Sequence, residues 1–209
     1  MGPETRADEG SDKAAVPRRL AVLVSGSGRT LINLIERTRG DEPKPRAEVA
    51  LVIADRACRG FDLAREAGIE GVLIEGGPDA KTLAALAHRH EVGLVVLAGY
   101  LRLVRLPEEL RGRVVNIHPA LLPRFGGKGM HGMRVHEAVI DAAKRGEVHE
   151  SGCTVHLCDD RYDTGAIVLQ RTCEVSAGDT PEQLAARVFA LELEAYPEAI
   201  ELLLERANA

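Results

Sequence analysis

Asn116, Ile117, His118 and Pro119 close an apolar run that begins at Arg113, setting an amide and an imidazole two residues apart. On a strand, alternate side chains share a face, so Asn116 and His118 point the same way. An amide that can donate to a developing oxyanion, beside an imidazole that titrates near neutrality, suits acyl-group chemistry. A lone histidine at a strand end is as readily a solvent-exposed one; the amide partner and the rigid Pro119 favour the chemical reading. A second constellation, Ser25-Gly26-Ser27-Gly28-Arg29-Thr30, sits where an apolar run gives way to a helical pattern. Glycines there allow a sharp turn, and free N–H groups at a helix start make an anion site, with Arg29 and the hydroxyls of Ser27 and Thr30 adding charge and donors. The loop lacks the third glycine of a dinucleotide fingerprint and the Gly-Lys-Ser/Thr of a Walker loop, so it suits one phosphate group or simply a tight turn. A third segment, residues 159–165, offers Asp159, Asp160 and Asp163. These serve either turn chemistry or, in one case, the orienting of a histidine or of a water for proton relay.

The other histidines are weaker candidates. His88 and His90 fall on a polar helix end, His149 in an exposed stretch, and His156 in mid-strand, where its role is ambiguous. His131 and His136 are five apart, not at the i, i+4 spacing of a helical metal pair. No metal site is expected.

Parallel strands with helices between them are the elements that would position these groups. Apolar, β-branched runs at 20–25, 47–54, 71–75, 92–100 and 113–119 alternate with helical stretches. That rhythm predicts a doubly wound α/β fold of Rossmann-like type, with a mostly parallel sheet in a single domain. Beyond Pro119 a Gly-rich loop leads to a helix near 133–145, and strand-like runs follow at 152–158 and 166–175. These two either form a hairpin or extend the main sheet. Residues 180–206 form an amphipathic helix with a Thr N-cap and Pro at N1, which Pro197 is expected to kink or split.

Composition sets the outer bounds. The 209 residues carry 27 Lys and Arg against 32 Asp and Glu, a formal charge of −5, with 3% aromatics. That excludes a general phosphate-backbone binder, which needs a basic surface, and a base-stacking platform, which needs aromatic faces. The four cysteines, Cys58, Cys153, Cys158 and Cys173, include no CxxC pair and read as reduced thiols. Residues 1–19 are polar, with no apolar core of a secretory signal, and are expected to be a disordered tail before a domain over 20–209. A cytoplasmic location follows as the default.

Three segments carry a resemblance: LVSGSGRTLINLIE (23–36), VVNIHPALLP (114–123) and SGCTVHLCDDRYDTGAIVLQ (151–170). Together they resemble the folate-dependent formyltransferases, and most nearly the phosphoribosylglycinamide formyltransferases of purine biosynthesis, from Leu20 to Arg206. The resemblance implies transfer of a formyl group from 10-formyltetrahydrofolate to the amine of 5′-phosphoribosylglycinamide. It implies a catalytic trio of Asn116, His118 and Asp163, with Asp163 either holding His118 charged or passing a proton through water. It assigns Gly28, Arg29 and Thr30 to the substrate's phosphate and Glu192 to its ribose. Leu101, Arg102, Leu103, Val104, Asn116 and, by a looser match, Lys81 fall to the folate.

This chain departs from the family in having Arg29-Thr30 where many relatives have Ser-Asn, and a longer 123–138 loop, so His131 and His136 are left out of the implied site. The partners implied are the two small molecules alone, with no nucleic acid, membrane or metal, in a monomer or homodimer. The alternatives are another formyl-folate enzyme (a methionyl-tRNA formyltransferase or a formyltetrahydrofolate hydrolase) and a non-catalytic nucleotide-binding module. The expectation is that 209 residues leave no space for the extra domains of those sister enzymes.

Overall fold

The computed structural model describes residues 16–209; of the tail expected over 1–19, residues 1–15 lie outside the described residues. The first strand, β1 (Arg19–Val24), is buried along its whole apolar length from Leu20 onward, as a strand covered on both faces must be. It is followed by α1 (Arg29–Arg39), β2 (Glu48–Ala54), α2 (Arg59–Glu66), β3 (Gly71–Leu73), α3 (Ala80–Arg89), β4 (Leu94–Leu97) and β5 (Val114–His118). Then come α4 (Met133–Lys144), β6 (Glu150–Leu157), β7 (Ile167–Glu174) and α5 (Pro181–Arg206).

The strands form one seven-stranded sheet in the order β3-β2-β1-β4-β5-β6-β7. The pairs from β3 to β5 are parallel, and β5–β6 and β6–β7 are antiparallel. The doubly wound expectation therefore holds, and the last two strands are at once a hairpin and an extension of the main sheet. Alternation along β1 sorts the core: Leu20, Val22 and Val24 pack with Leu31 and Leu34 of α1 and with α4 and α5. Ala21 and Leu23 face Leu83 and Ala87 of α3 on the other side. Strand order reverses between β1 and β4, the switch point beyond whose carboxyl ends open α/β sheets bind ligands.

The expected break at Pro197 does not occur; α5 runs unbroken through it. Proline lacks the N–H that would bond the carbonyl four residues back, and here that carbonyl, of Leu193, accepts from Asn33 Nδ2 at 3.0 Å. A side chain of α1 thus replaces the missing backbone donor and pins the two helices together. The start of α5 has the full capping box, Thr180 and Gln183 bonding each other's backbone N–H. Further along, the buried Tyr196 hydroxyl lies 2.9 Å from the carbonyl oxygens of both Leu97 and Val115, fixing α5 against β4 and β5 just before their ligand-facing ends.

Candidate active site

The carboxyl ends of β1, β4 and β5 open into a cavity of about 710 Å³, walled on the far side by α5, by the loop before α4 and by the loop after β6. Asn116 and His118 line it from the last residues of β5, as alternation requires. Antiparallel pairing sets Asn116 opposite His156 and His118 opposite Thr154. His156, ambiguous in sequence, is therefore part of the site. Its Nδ1 lies 2.9 Å from the Leu157 carbonyl, which only an N–H can satisfy. In the neutral ring Nε2 is then the acceptor, and Asn116 Nδ2 donates to it at 3.1 Å. One Asn116 hydrogen is committed and the other is left for the cavity.

His118 is almost wholly enclosed, at 3% exposure. Its Nε2–H donates to the Phe125 carbonyl at 2.8 Å, and its Nδ1 lies 3.6 Å from Asp163 Oδ2. The second oxygen of Asp163 lies 3.5 Å from His156 Nε2, so one carboxylate stands between two imidazoles. Of the three carboxylates in the 159–165 turn, only Asp163 does this. Asp159 accepts from Arg161 N–H and the Thr164 hydroxyl to close the turn, and Asp160 pairs with Arg111. Asp163 reaches inward because its backbone is left-handed, φ 56°, a conformation that aspartate tolerates better than most residues. The Gly127 N–H donates to its Oδ2 at 2.9 Å.

The electrostatics follow from that enclosure. Burial pushes the Asp163 carboxyl up, but the His156 contact, the Gly127 amide and the neighbouring His118 charge outweigh it and hold the pKa below its ordinary value. Burial depresses the His118 pKa, against the opposing pull of Asp163 and the Phe125 carbonyl. His136, from α4, is also lowered, by burial first and then by His118, and its Nδ1 has no hydrogen-bond partner among the described residues. His131, left out of the implied site, lines the cavity from the loop before α4, and His136, left out with it, lines it from the first turn of α4.

At the β1 end, Gly28 is the N-cap of α1, with φ 75°. A Cβ at that position would come within 2.5 Å of the Gly60 Cα, so the loop and the first turn of α2 approach at a distance that only glycine allows. The cap position has no side-chain acceptor, which leaves the first amides of α1 for an anion. Arg29 stacks its guanidinium over the Phe189 ring of α5, 4.1 Å from the centroid. One turn further along α5 stands Glu192, whose carboxyl burial pushes up to about 7 while Arg29 pulls it back.

Residues 101–104 form the opposite wall, held by side chains rather than by regular structure. The Leu101 N–H donates to Ser25 Oγ at 3.2 Å, and the Leu103 N–H to the Tyr162 hydroxyl at 3.1 Å. The Arg102 guanidinium donates to Asp55 Oδ2 at 2.9 Å. Asp55, 2% exposed at the end of β2, also receives Arg56 on both oxygens. Burial pushes the Asp55 carboxyl up, and Arg56, Ser25 and Arg102 together more than reverse that.

Asn116, His118, Asp163, Gly28, Arg29, Thr30, Glu192 and Leu101 to Val104 thus all line one cavity. Lys81 does not: it is exposed on the first turn of α3, outside the lining. The sequence reading missed His156, Tyr162, Phe189 and Asp55 as contributors. The period-two pattern of 152–158 marks His156 as sharing a face with Thr154, but its facing Asn116 depends on strand register. Among the described residues, no group of three or more His, Cys, Asp or Glu gathers as a metal site.

Comparison with known proteins adds an independent line. Residues 18–200 match the family model described as formyl transferase. A protein of Vigna unguiculata named phosphoribosylglycinamide formyltransferase, chloroplastic, is 39% identical over 90% of this chain, and this chain spans 61% of its length. Its namesake in Arabidopsis thaliana is 36% identical, over 94% of this chain and 69% of its own. The crystal structure of glycinamide ribonucleotide transformylase 1 from Symbiobacterium toebii superposes with a TM-score of 0.74 at 38% identity, covering 90% of this chain and 88% of that one.

Proposed function

The chain belongs to the formyl transferase family, among its phosphoribosylglycinamide formyltransferases, and from that premise we propose that it moves a formyl group from 10-formyltetrahydrofolate to the amine of 5′-phosphoribosylglycinamide. The observation that carries this reading is the convergence of Asn116, His118, His156 and Asp163 midway between an anion-binding helix start and the 101–104 wall. A substrate seated with its phosphate on residues 28–30 and its ribose at Glu192 would direct its amine toward β5. A folate lying along residues 101–104 would bring its formyl group to the same point. The assignments of Gly28, Arg29, Thr30 and Glu192 to one substrate and of Leu101 to Val104 and Asn116 to the other rest on that layout and on the resemblance.

The chemistry follows from the residues. As the neutral amine attacks the formyl carbon, charge develops on the formyl oxygen. The uncommitted Asn116 hydrogen supplies a donor aimed at it, which in a pre-organised site is usually the largest catalytic contribution. His118, with its two ring nitrogens turned to Phe125 and Asp163, acts through its charge when protonated. Protonation of His118 adds a hydrogen at Nδ1, the nitrogen beside Asp163, so the carboxylate partly offsets the burial that lowers the His118 pKa. Asp163 also stands where a proton leaving the amine can be taken up, directly or through a water, and returned to the folate nitrogen that departs. An acidic chain can bind two anionic ligands this way, because each anion meets local donors rather than the net charge.

Small-molecule partners alone, a monomer or homodimer, and no metal complete the proposal. Its free cysteines suit a reducing compartment, and we place it in the cytoplasm. Incubation with 10-formyltetrahydrofolate and 5′-phosphoribosylglycinamide, followed by the absorbance of the deformylated folate, tests the activity. A signal that depends on both substrates is expected; folate hydrolysis independent of the amine, or no turnover, would overturn it.

A further inference from the structure

We propose that Phe189 is a positioning residue for the phosphate end of the substrate, holding the Arg29 guanidinium face-on so that its edge is presented to the anion. The inference rests on the reading of residues 28–30 as a phosphate site. Arg29 is the first residue of α1 and is solvent-exposed. Among the described residues its guanidinium takes part in no hydrogen bond and no salt bridge, yet it lies 4.1 Å over the Phe189 ring. A cation on an aromatic face is held by the ring's quadrupole, and the guanidinium's N–H donors radiate from its edge in the same plane. Stacking therefore fixes the plane of the group without spending its donors. Arg29 is the sole cation on residues 26–30, where the α1 amides supply the remaining donors.

The placement of Phe189 extends the argument. It lies three residues before Glu192 on α5, so the two share a helix face toward the cavity. The ring thus sets the spacing between the cation meant for the phosphate and the carboxylate meant for the ribose. A partnerless arginine on a surface samples many rotamers, and each anion-binding event would have to freeze it. Pre-stacking removes part of that cost before the ligand arrives. Phe189 touches no reacting atom in this scheme, and its effect is confined to recognition of a phosphorylated substrate.

The test compares Phe189→Ala, Phe189→Leu and Phe189→Tyr, with KM and kcat measured on 5′-phosphoribosylglycinamide and on its dephosphorylated counterpart. Loss of the ring is expected to raise KM for the phosphorylated substrate about fivefold, equivalent to about 1 kcal/mol at 1.4 kcal/mol per tenfold. Its kcat changes less, and KM for the dephosphorylated compound does not move. Leu behaves as Ala, since apolar bulk is not the requirement, and Tyr restores the wild-type KM. In the Arg29→Ala background, Phe189→Ala adds nothing. Equal loss on both substrates, rescue by Leu as complete as by Tyr, or full additivity with Arg29→Ala would show a merely structural ring and overturn the proposal. Calorimetric binding of inorganic phosphate reads the same contact without turnover. A fivefold weaker Kd in Phe189→Ala supports the proposal even if no formyl transfer is seen, which would sink the parent reading instead. An unchanged Kd rejects it.

Discussion

Asp163 Oδ2 lies 3.6 Å from His118 Nδ1 while the other ring nitrogen of His118 donates to the Phe125 carbonyl. The neutral imidazole is thereby fixed with its proton on Nε2, and the only nitrogen able to gain or lose a proton faces a carboxylate. Asp163→Asn tests the charge with little change of shape, because an amide oxygen can still accept from the Gly127 N–H. We expect kcat to fall by roughly 10²–10⁴, the usual range for a positioned acid–base group. The thermal midpoint should change little. A variant within tenfold of wild type would remove Asp163 from the mechanism.

Asn116 makes a prediction of a different shape, since it serves His156 and the cavity at once. Asn116→Ala removes the proposed oxyanion donor and should lower kcat by about 10²–10³. His156→Ala leaves Asn116 in place but frees its amide to rotate, so part of that loss should appear, and the double variant should be little worse than Asn116→Ala alone. Steady-state rates for the four proteins decide it; full additivity would mean that His156 acts separately.

How much of this was readable from the chain differs by residue, and the reason is range. Asn116 and His118 declare themselves because strand alternation and a following proline are local facts. His156 belongs beside them only through the β5–β6 register, which joins residues 40 apart and leaves no local mark. Three carboxylates in one turn looked equivalent; the left-handed φ of Asp163 separates it from two neighbours that hold the turn and a surface arginine. The split expected at Pro197 does not occur for a similar reason, since the donor to the carbonyl its missing N–H leaves open comes from Asn33, on another helix. Lys81 was assigned by a loose match, and the fold leaves it on the exposed first turn of α3, outside the cavity.

Asp55 should control affinity for the folate rather than the rate. It is buried, and it holds Arg102 through a charged hydrogen bond within the 101–104 wall. Hydrogen bonds to charged groups contribute about 1.5–3 kcal/mol, but Arg102 is half exposed, so about 1 kcal/mol is the reasonable share after solvent screening. Asp55→Asn is therefore expected to raise KM for 10-formyltetrahydrofolate about fivefold, with KM for the amine substrate unchanged. Equal effects on both substrates would mean that the whole cavity had relaxed.

Glu192 sets binding against stability, and pH separates the two. Burial raises its carboxyl from the ordinary 4.5 to about 7, so between those values the folded chain binds a proton that the unfolded chain has released. Stability therefore falls as pH rises through that window, and the full cost is present above pH 7. Glu192→Gln removes the ionisation. Its thermal midpoint should match that of wild type near pH 4.5 and exceed it increasingly up to about pH 7.5, in ligand-free protein. The same variant should bind the phosphoribosyl substrate more weakly, because a neutral amide is a poorer acceptor for ribose hydroxyls than a carboxylate. Melting curves across pH 4.5–8 check the first half and substrate KM the second. A midpoint difference that does not change with pH would show that Glu192 titrates alike in the folded and unfolded chains, and the gain would then have to come from packing alone.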